Sequence, residues 1–148
     1  MDKNIFLNLS WNASLNSQNK TINELASVES LNPKDLLQPV SKEYWENAAK
    51  VLFKMGYPRI REAIPGLLVW LQDINWPGSN VVMELLRTIP KAEFVPYFED
   101  AVKEALSSDD EIWIENLSYF LLQLSLKEND FTSKDVYLSL LVGSEFWE

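Results

Sequence analysis

Residues 67–78 read LLVWLQDINWPG, and the reading of this stretch decides the fold. Two tryptophans, an acid, two amides and a proline fall in one short span, so it is either a site of chemistry or a turn between two helices. The turn reading has the stronger physical basis. Asp73 and Asn75 have side-chain oxygens that can accept bonds from the orphan amides at the start of a following helix. Pro77 is tolerated in a first helical turn, where its missing N–H costs little. Trp76, placed before proline, is pushed away from helical angles and offers a large ring as a wedge between helices.

The flanking residues carry helical periodicity. Tyr44, Trp45, Ala48, Val51, Leu52 and Met55 form one apolar stripe, with Ser41 as candidate N-cap and Gly56 as the stop. Ile60, Ile64, Leu67, Leu68, Leu71 and Ile74 form a second, with Pro65 bending or restarting it. Val81, Val82, Leu85, Leu86 and Ile89 form a third, ending at Pro90. A fourth uses Phe94, Phe98, Ala101, Val102, Ala105 and Leu106. Trp113, Leu117, Phe120, Leu121 and Leu124 make a fifth, entered through SSDDE. A shorter sixth follows Thr132 or Ser133 through Val136, Leu140 and Leu141 to Gly143. Short loops between stripes imply antiparallel helix hairpins. Trp76 and Trp113, 37 residues apart, each follow an acidic turn, and AIPGLL is echoed by FVPYFE. A period in the range of about 30–45 residues with two helices per unit is the mark of a HEAT-like α-solenoid. The expected fold is therefore all-α: helix hairpins stacked over residues 41–148, with a less regular N-terminal arm over 1–40, in one domain overall. Within that arm, Ile5, Leu7, Leu9 and Trp11 alternate as a strand or extended segment would. Thr21 and Glu24 suggest a short helix through Val28. Asn32-Pro33 suggests another helix start.

At this point the residues reach a resemblance. IPGLLVWLQDINWP, followed by a helix and then by LSSDDEIW, resembles the family of short bacterial proteins called domain of unknown function 5071, from about Ser41 to about Leu124. After Pro77 this chain has GSN in place of the family's small apolar residues. The resemblance implies a compact HEAT-like helical fold and no known activity.

Composition narrows the function. The chain has 148 residues, 47% hydrophobic and 24% charged, enough for a real core. With no cysteine and no histidine, thiolate metal sites and the commonest catalytic bases and nucleophiles are excluded. No glycine-rich phosphate loop or nucleophile elbow occurs. No cofactor and no metal are expected. The net charge of −9 disfavours nucleic acid as a partner. No apolar run approaches the ~18 residues of a membrane span, and the N-terminus does not read as a signal peptide. A cytoplasmic location follows as the expectation, and it makes chance matches of the glycosylation sequons at Asn8, Asn12, Asn19 and Asn116. Eight acids crowd residues 91–115 against Lys91 and Lys103, whereas five bases meet three acids in residues 41–63.

The expected role is a non-enzymatic protein–protein interaction module whose acidic, aromatic-studded surface receives a basic protein. An immunity-type protein is one form of it. Treating Leu67–Ile74 as helical puts Val69 and Trp70 at the edge of the apolar stripe or beyond it, as candidates for an exposed patch. The alternative for Trp70 is packing against a neighbouring repeat. The remaining candidate binding residues are Asp73, Asn75, Trp76, Asp109, Asp110 and Trp113. Two rival functions remain: a hydrolase using Asp73 and Asp109 as paired carboxylates, and a structural subunit self-associating through Phe146 and Trp147.

Overall fold

The computed structural model describes residues 3–144; Phe146 and Trp147 lie outside them. Within this span are seven α-helices and no strand: α1 (Leu15–Ser27), α2 (Trp45–Met55), α3 (Ile64–Trp70), α4 (Ser79–Arg87), α5 (Lys91–Ser107), α6 (Glu111–Leu124) and α7 (Lys134–Ser144). The all-α expectation holds. Short 3₁₀ turns at Lys3–Leu9, Pro33–Leu36, Lys42–Tyr44, Arg61–Ala63 and Glu128–Asp130 fill much of the remainder.

Each stripe read from the sequence is centred on one of these helices, though Tyr44, Ile60, Leu71, Ile74 and Ile89 fall beyond the helix ends and Leu106 and Leu141 are exposed. In α2, Ala48, Val51 and Leu52 are fully buried, and Gly56 ends the helix at φ 70°. Ser41 does not cap α2: it precedes the 3₁₀ turn Lys42–Tyr44, its side chain making no capping bond. Proline is accommodated in α3 because Pro65 sits in the first turn, where no amide partner is lost. Phe94, Phe98 and Phe120 bind α5 to α6, with ring centroids 5.4, 6.1 and 6.4 Å apart. Packing is both successive and skipped: α1 on α2, α2 on α4, α3 on α4 and on α5, α5 on α6 and on α7, and α6 on α7. One continuous core runs from Phe6 to Leu140.

The N-terminal forty residues depart from expectation. Residues Lys3–Leu9 coil as a 3₁₀ helix instead of extending as a strand. With three residues per turn, Phe6 and Leu9 share the buried side, while Leu7 and Trp11 remain more than half exposed. α1 begins well before the Thr21–Glu24 pattern. Ser14 is its N-cap, accepting from the Ser17 amide at 3.1 Å, and Thr21 lies buried in the helix interior. Asn32 does start a 3₁₀ turn, accepting from the Lys34 amide at 3.0 Å.

This region is bound tightly to the rest. The buried Asn47 side chain donates to the Leu9 carbonyl and to Gln18 Oε1, both at 2.8 Å. Arg59 donates to the carbonyls of Ala26 and Val28, satisfying orphan acceptors at the C-terminal end of α1. At the other end of the molecule, the buried Glu99 carboxylate in α5 accepts from both the amide and the hydroxyl of Thr132, each at 2.5 Å.

Candidate functional site

The central motif is a structural junction. α3 stops at Trp70, not Ile74, and its end tightens into three-residue bonds, Leu71 N–H to Leu68 O at 3.1 Å and Gln72 N–H to Val69 O at 3.0 Å. That early stop changes where the side chains go. Trp70 is fully buried, so the exposed patch expected there does not exist. Its indole N–H donates to the Pro77 carbonyl at 3.0 Å. Val69 is half-buried against the core. The Trp45 ring, at the start of α2, meets Trp70 and Trp76 edge-on, at 6.3 and 5.7 Å between centroids. Trp76 is thus a wedge, as its place before proline implied.

Gly78 is required by the turn itself. It adopts φ +88°, and a Cβ there would lie 2.9 Å from Trp70 Cζ2 and 3.0 Å from the Trp45 carbonyl oxygen. Only a residue without a side chain lets the chain turn at this point while α4 comes up against α2 and Trp70. Two of the turn's polar side chains are spent internally, whereas Asn75, expected as a cap, is exposed on the wall of a surface depression and leaves α4 without a side-chain capping bond. Asp73 Oδ1 accepts from the Asn75 amide at 2.8 Å, and the buried Ser79 hydroxyl donates to the Ile74 carbonyl at 2.5 Å. Asp73 caps its own turn and not the following helix, whose N-terminus lies at Gly78.

Trp113, proposed as a surface residue, is buried in α6. Its indole N–H donates to the Leu68 carbonyl at 3.1 Å. Beside it, the buried Asn116 amide donates to the carbonyls of Leu71 and Gln72, at 2.9 and 3.1 Å. Asn116 serves orphan acceptors just past the end of α3, while Trp113 adds a second donor to the Leu68 carbonyl. Asn116 had no special signal in the sequence beyond its sequon, and its burial closes it to a glycan in the folded chain.

The acidic turn differs in character. Asp110 is the N-cap of α6, accepting from the Trp113 amide at 3.1 Å. Asp109 adopts φ 54°, exposed, one residue before it. Glu104 and Glu111 are exposed nearby in sequence, and Ile112 among them is 65% exposed. Among the described residues, Glu104, Asp109 and Glu111 enter no ion pair.

Depressions among the described residues include three of note. One of about 520 Å³ lies between α1, α2 and α4, lined by residues including Asn19, Asn23, Lys50, Phe53, Lys54 and Glu84. A second, about 450 Å³, lies between the Ile74–Asn75 turn, α4 and α6, with Glu84, Arg87, Tyr119 and Gln123. A third, about 420 Å³, holds Tyr57, Arg61, Glu93 and Tyr97. There the Arg61 guanidinium donates to the Tyr57 hydroxyl at 3.0 Å, and that hydroxyl in turn donates to Glu93. The contact with Tyr57, and then the charge of Glu93, holds the Arg61 pKa above its ordinary value, so it keeps its proton. None of the three depressions brings Asp73 and Asp109 together. No group of three or more carboxylates able to hold a metal ion occurs among the described residues. No helix among them is long and apolar enough to cross a membrane.

No curated protein and no solved structure matches this chain. A family match does exist, and it is broader than the motif that first pointed to it. It runs from residue 39, ahead of α2, to residue 142, within α7, and so includes the tryptophan junction, the Trp113–Asn116 contacts and the acidic turn. Since this range takes in well over half of the sequence, the chain belongs to the family described as domain of unknown function 5071.

Proposed function

We propose that the protein is a non-enzymatic interaction module of the bacterial cytoplasm, a short HEAT-like stack whose acidic corner receives a basic protein. Hairpins α3–α4 and α5–α6 are its successive units. The packing of α2 on α4 and of α3 on α5 supports that reading, because stacked repeats join like helix to like helix. So do the bonds from Trp113 and Asn116 back to the end of α3. The observation that carries the function is the corner itself: Glu104, Asp109 and Glu111, all exposed and in no ion pair among the described residues, flank the end of α5 and the start of α6, where Ile112 is exposed as well. An exposed apolar side chain in an acidic stretch suits a partner surface of the opposite sign. By analogy of size and charge, an immunity-type role against a basic toxin suits such a surface.

The test is affinity capture from bacterial lysate at low and moderate salt, with wild type, D109K/E111K and I112D. One basic protein held at near-equal stoichiometry by wild type, and weakened by both variants, is the expected result. For I112D the expected cost is about 2 kcal/mol, a hot-spot loss. If both variants capture the same protein as well as wild type does, the corner is not the interface. Trp70→Ala, by contrast, reports on folding, because its ring is buried.

A further inference from the structure

The charge of the first groove runs against that of the chain. The protein carries −9 overall, yet the groove between α1, α2 and α4 has Lys50 and Lys54 along its α2 wall against the single carboxylate of Glu84 on α4. Neither lysine is in an ion pair among the described residues. Lys54 donates instead to the neutral Asn23 side chain across the groove, at 2.5 Å. Between the polar walls lie Ile22, Val81 and Phe53, the last 42% exposed. The groove therefore sets apolar surface beside two exposed lysines that no ion pair neutralises, a combination complementary to a segment carrying both apolar side chains and negative charge.

We infer that this groove docks an extended acidic segment of a partner protein, with carboxylates at alternate positions and apolar side chains among them. The spacing supports an extended chain. Lys50 and Lys54, like Asn19 and Asn23, stand four residues apart, a rise of about 6 Å along a helix. Alternate residues of an extended chain repeat at about 6.6 Å, so successive carboxylates meet successive lysines. A basic segment would face two like charges for one opposite. The groove is a second site, opposite in sign to the acidic corner, and it does not depend on that reading.

The probe is a capped, dye-labelled peptide of alternating glutamate and leucine, titrated with the full chain by fluorescence anisotropy at moderate salt. Its lysine–leucine counterpart is the control. Saturable binding of the acidic peptide is expected, weakened about tenfold in K50E/K54E and several-fold in Phe53→Ser. It should be unchanged in D109K/E111K. The variant K42E/K91E shifts net charge equally at exposed lysines elsewhere and should bind like wild type. Lack of saturable binding, equal binding by K50E/K54E, equal binding by the Phe53 variant, equal loss in K42E/K91E, or preference for the basic peptide would each overturn the proposal. Thermal melts of every variant separate loss of binding from loss of fold.

Discussion

Gly78 shows how much one residue can decide. Its left-handed φ and its two close contacts, one to a tryptophan ring and one to backbone, add separate penalties for any side chain. Backbone strain at a left-handed position costs on the order of 1–3 kcal/mol, and forced repacking of a filled core adds a similar amount. Gly78→Ala should therefore lose about 2–6 kcal/mol, read as a lower urea midpoint with an unchanged slope. An alanine variant of wild-type stability would mean that the chain turns here by another conformation. Asn116 is the opposite case, a side chain whose role is all polar. Asn116→Ala leaves the Leu71 and Gln72 carbonyls buried without this donor, and an unmet buried acceptor costs about 1–3 kcal/mol. That loss should appear in thermal unfolding, with helix content in the folded state unaltered. The sequence marked the turn at Trp76-Pro77 but not the glycine after it, whose left-handed φ shows only in the fold. Nothing local announced Asn116 either, since an asparagine in mid-helix looks the same whether it faces water or a distant carbonyl.

At the scale of elements, the helices are joined by polar ties as well as by apolar faces. Glu99 in α5 accepts two bonds from Thr132, the residue two before α7 begins. Both bonds are charge-assisted and fall on a carboxylate that is itself buried, although Thr132 is exposed. Glu99→Gln should destabilise by about 1.5–3 kcal/mol. Thr132→Val should lose part of the same energy, and a double-mutant cycle should show coupling between the two. Additive losses would mean that the pair does not act as a unit. The stripes on α2, α4 and α6 were plain in the sequence because each runs unbroken for at least two turns. α3 was read too long for a physical reason: Leu71 and Ile74 continue the apolar pattern after the backbone has left the helix for three-residue bonds. Periodicity records which residues want burial, and a turn that buries them equally well continues the pattern.

The whole molecule includes its N-terminal segment. Residues before the family match supply Phe6, Leu9, Ile22, Leu25 and Leu31 to the core, and Arg59 and Asn47 bind that segment by hydrogen bonds. Each buried side chain of this size contributes about 1.5–3 kcal/mol of burial, and losing the four that precede Leu31 also uncovers the α2 face that α1 packs on. Deleting residues 1–30 should therefore abolish cooperative unfolding and bring exposed apolar surface, seen as lost near-ultraviolet dichroism and dye binding. A truncated chain that still melts cooperatively would show that residues 39–142 form a core of their own.

By itself, the sequence determined the class and the chemistry closed to this protein. Helical periodicity specified the α2, α4 and α6 faces, Gly56 and Pro90 punctuated them, and the lack of His and Cys removed most catalytic and metal sites. Tertiary structure alone decided what covers each face. Trp70 and Trp113 are large, amphipathic rings that suit a core and a binding surface equally well. Whether their indole N–H finds a partner inside depends on carbonyls supplied by Pro77 and by Leu68, the latter 45 positions away. The first residues likewise took their 3₁₀ form because Phe6 and Leu9 had a core to enter. A pattern in one segment carries its own appetite for burial, but the surface that satisfies it belongs to another segment.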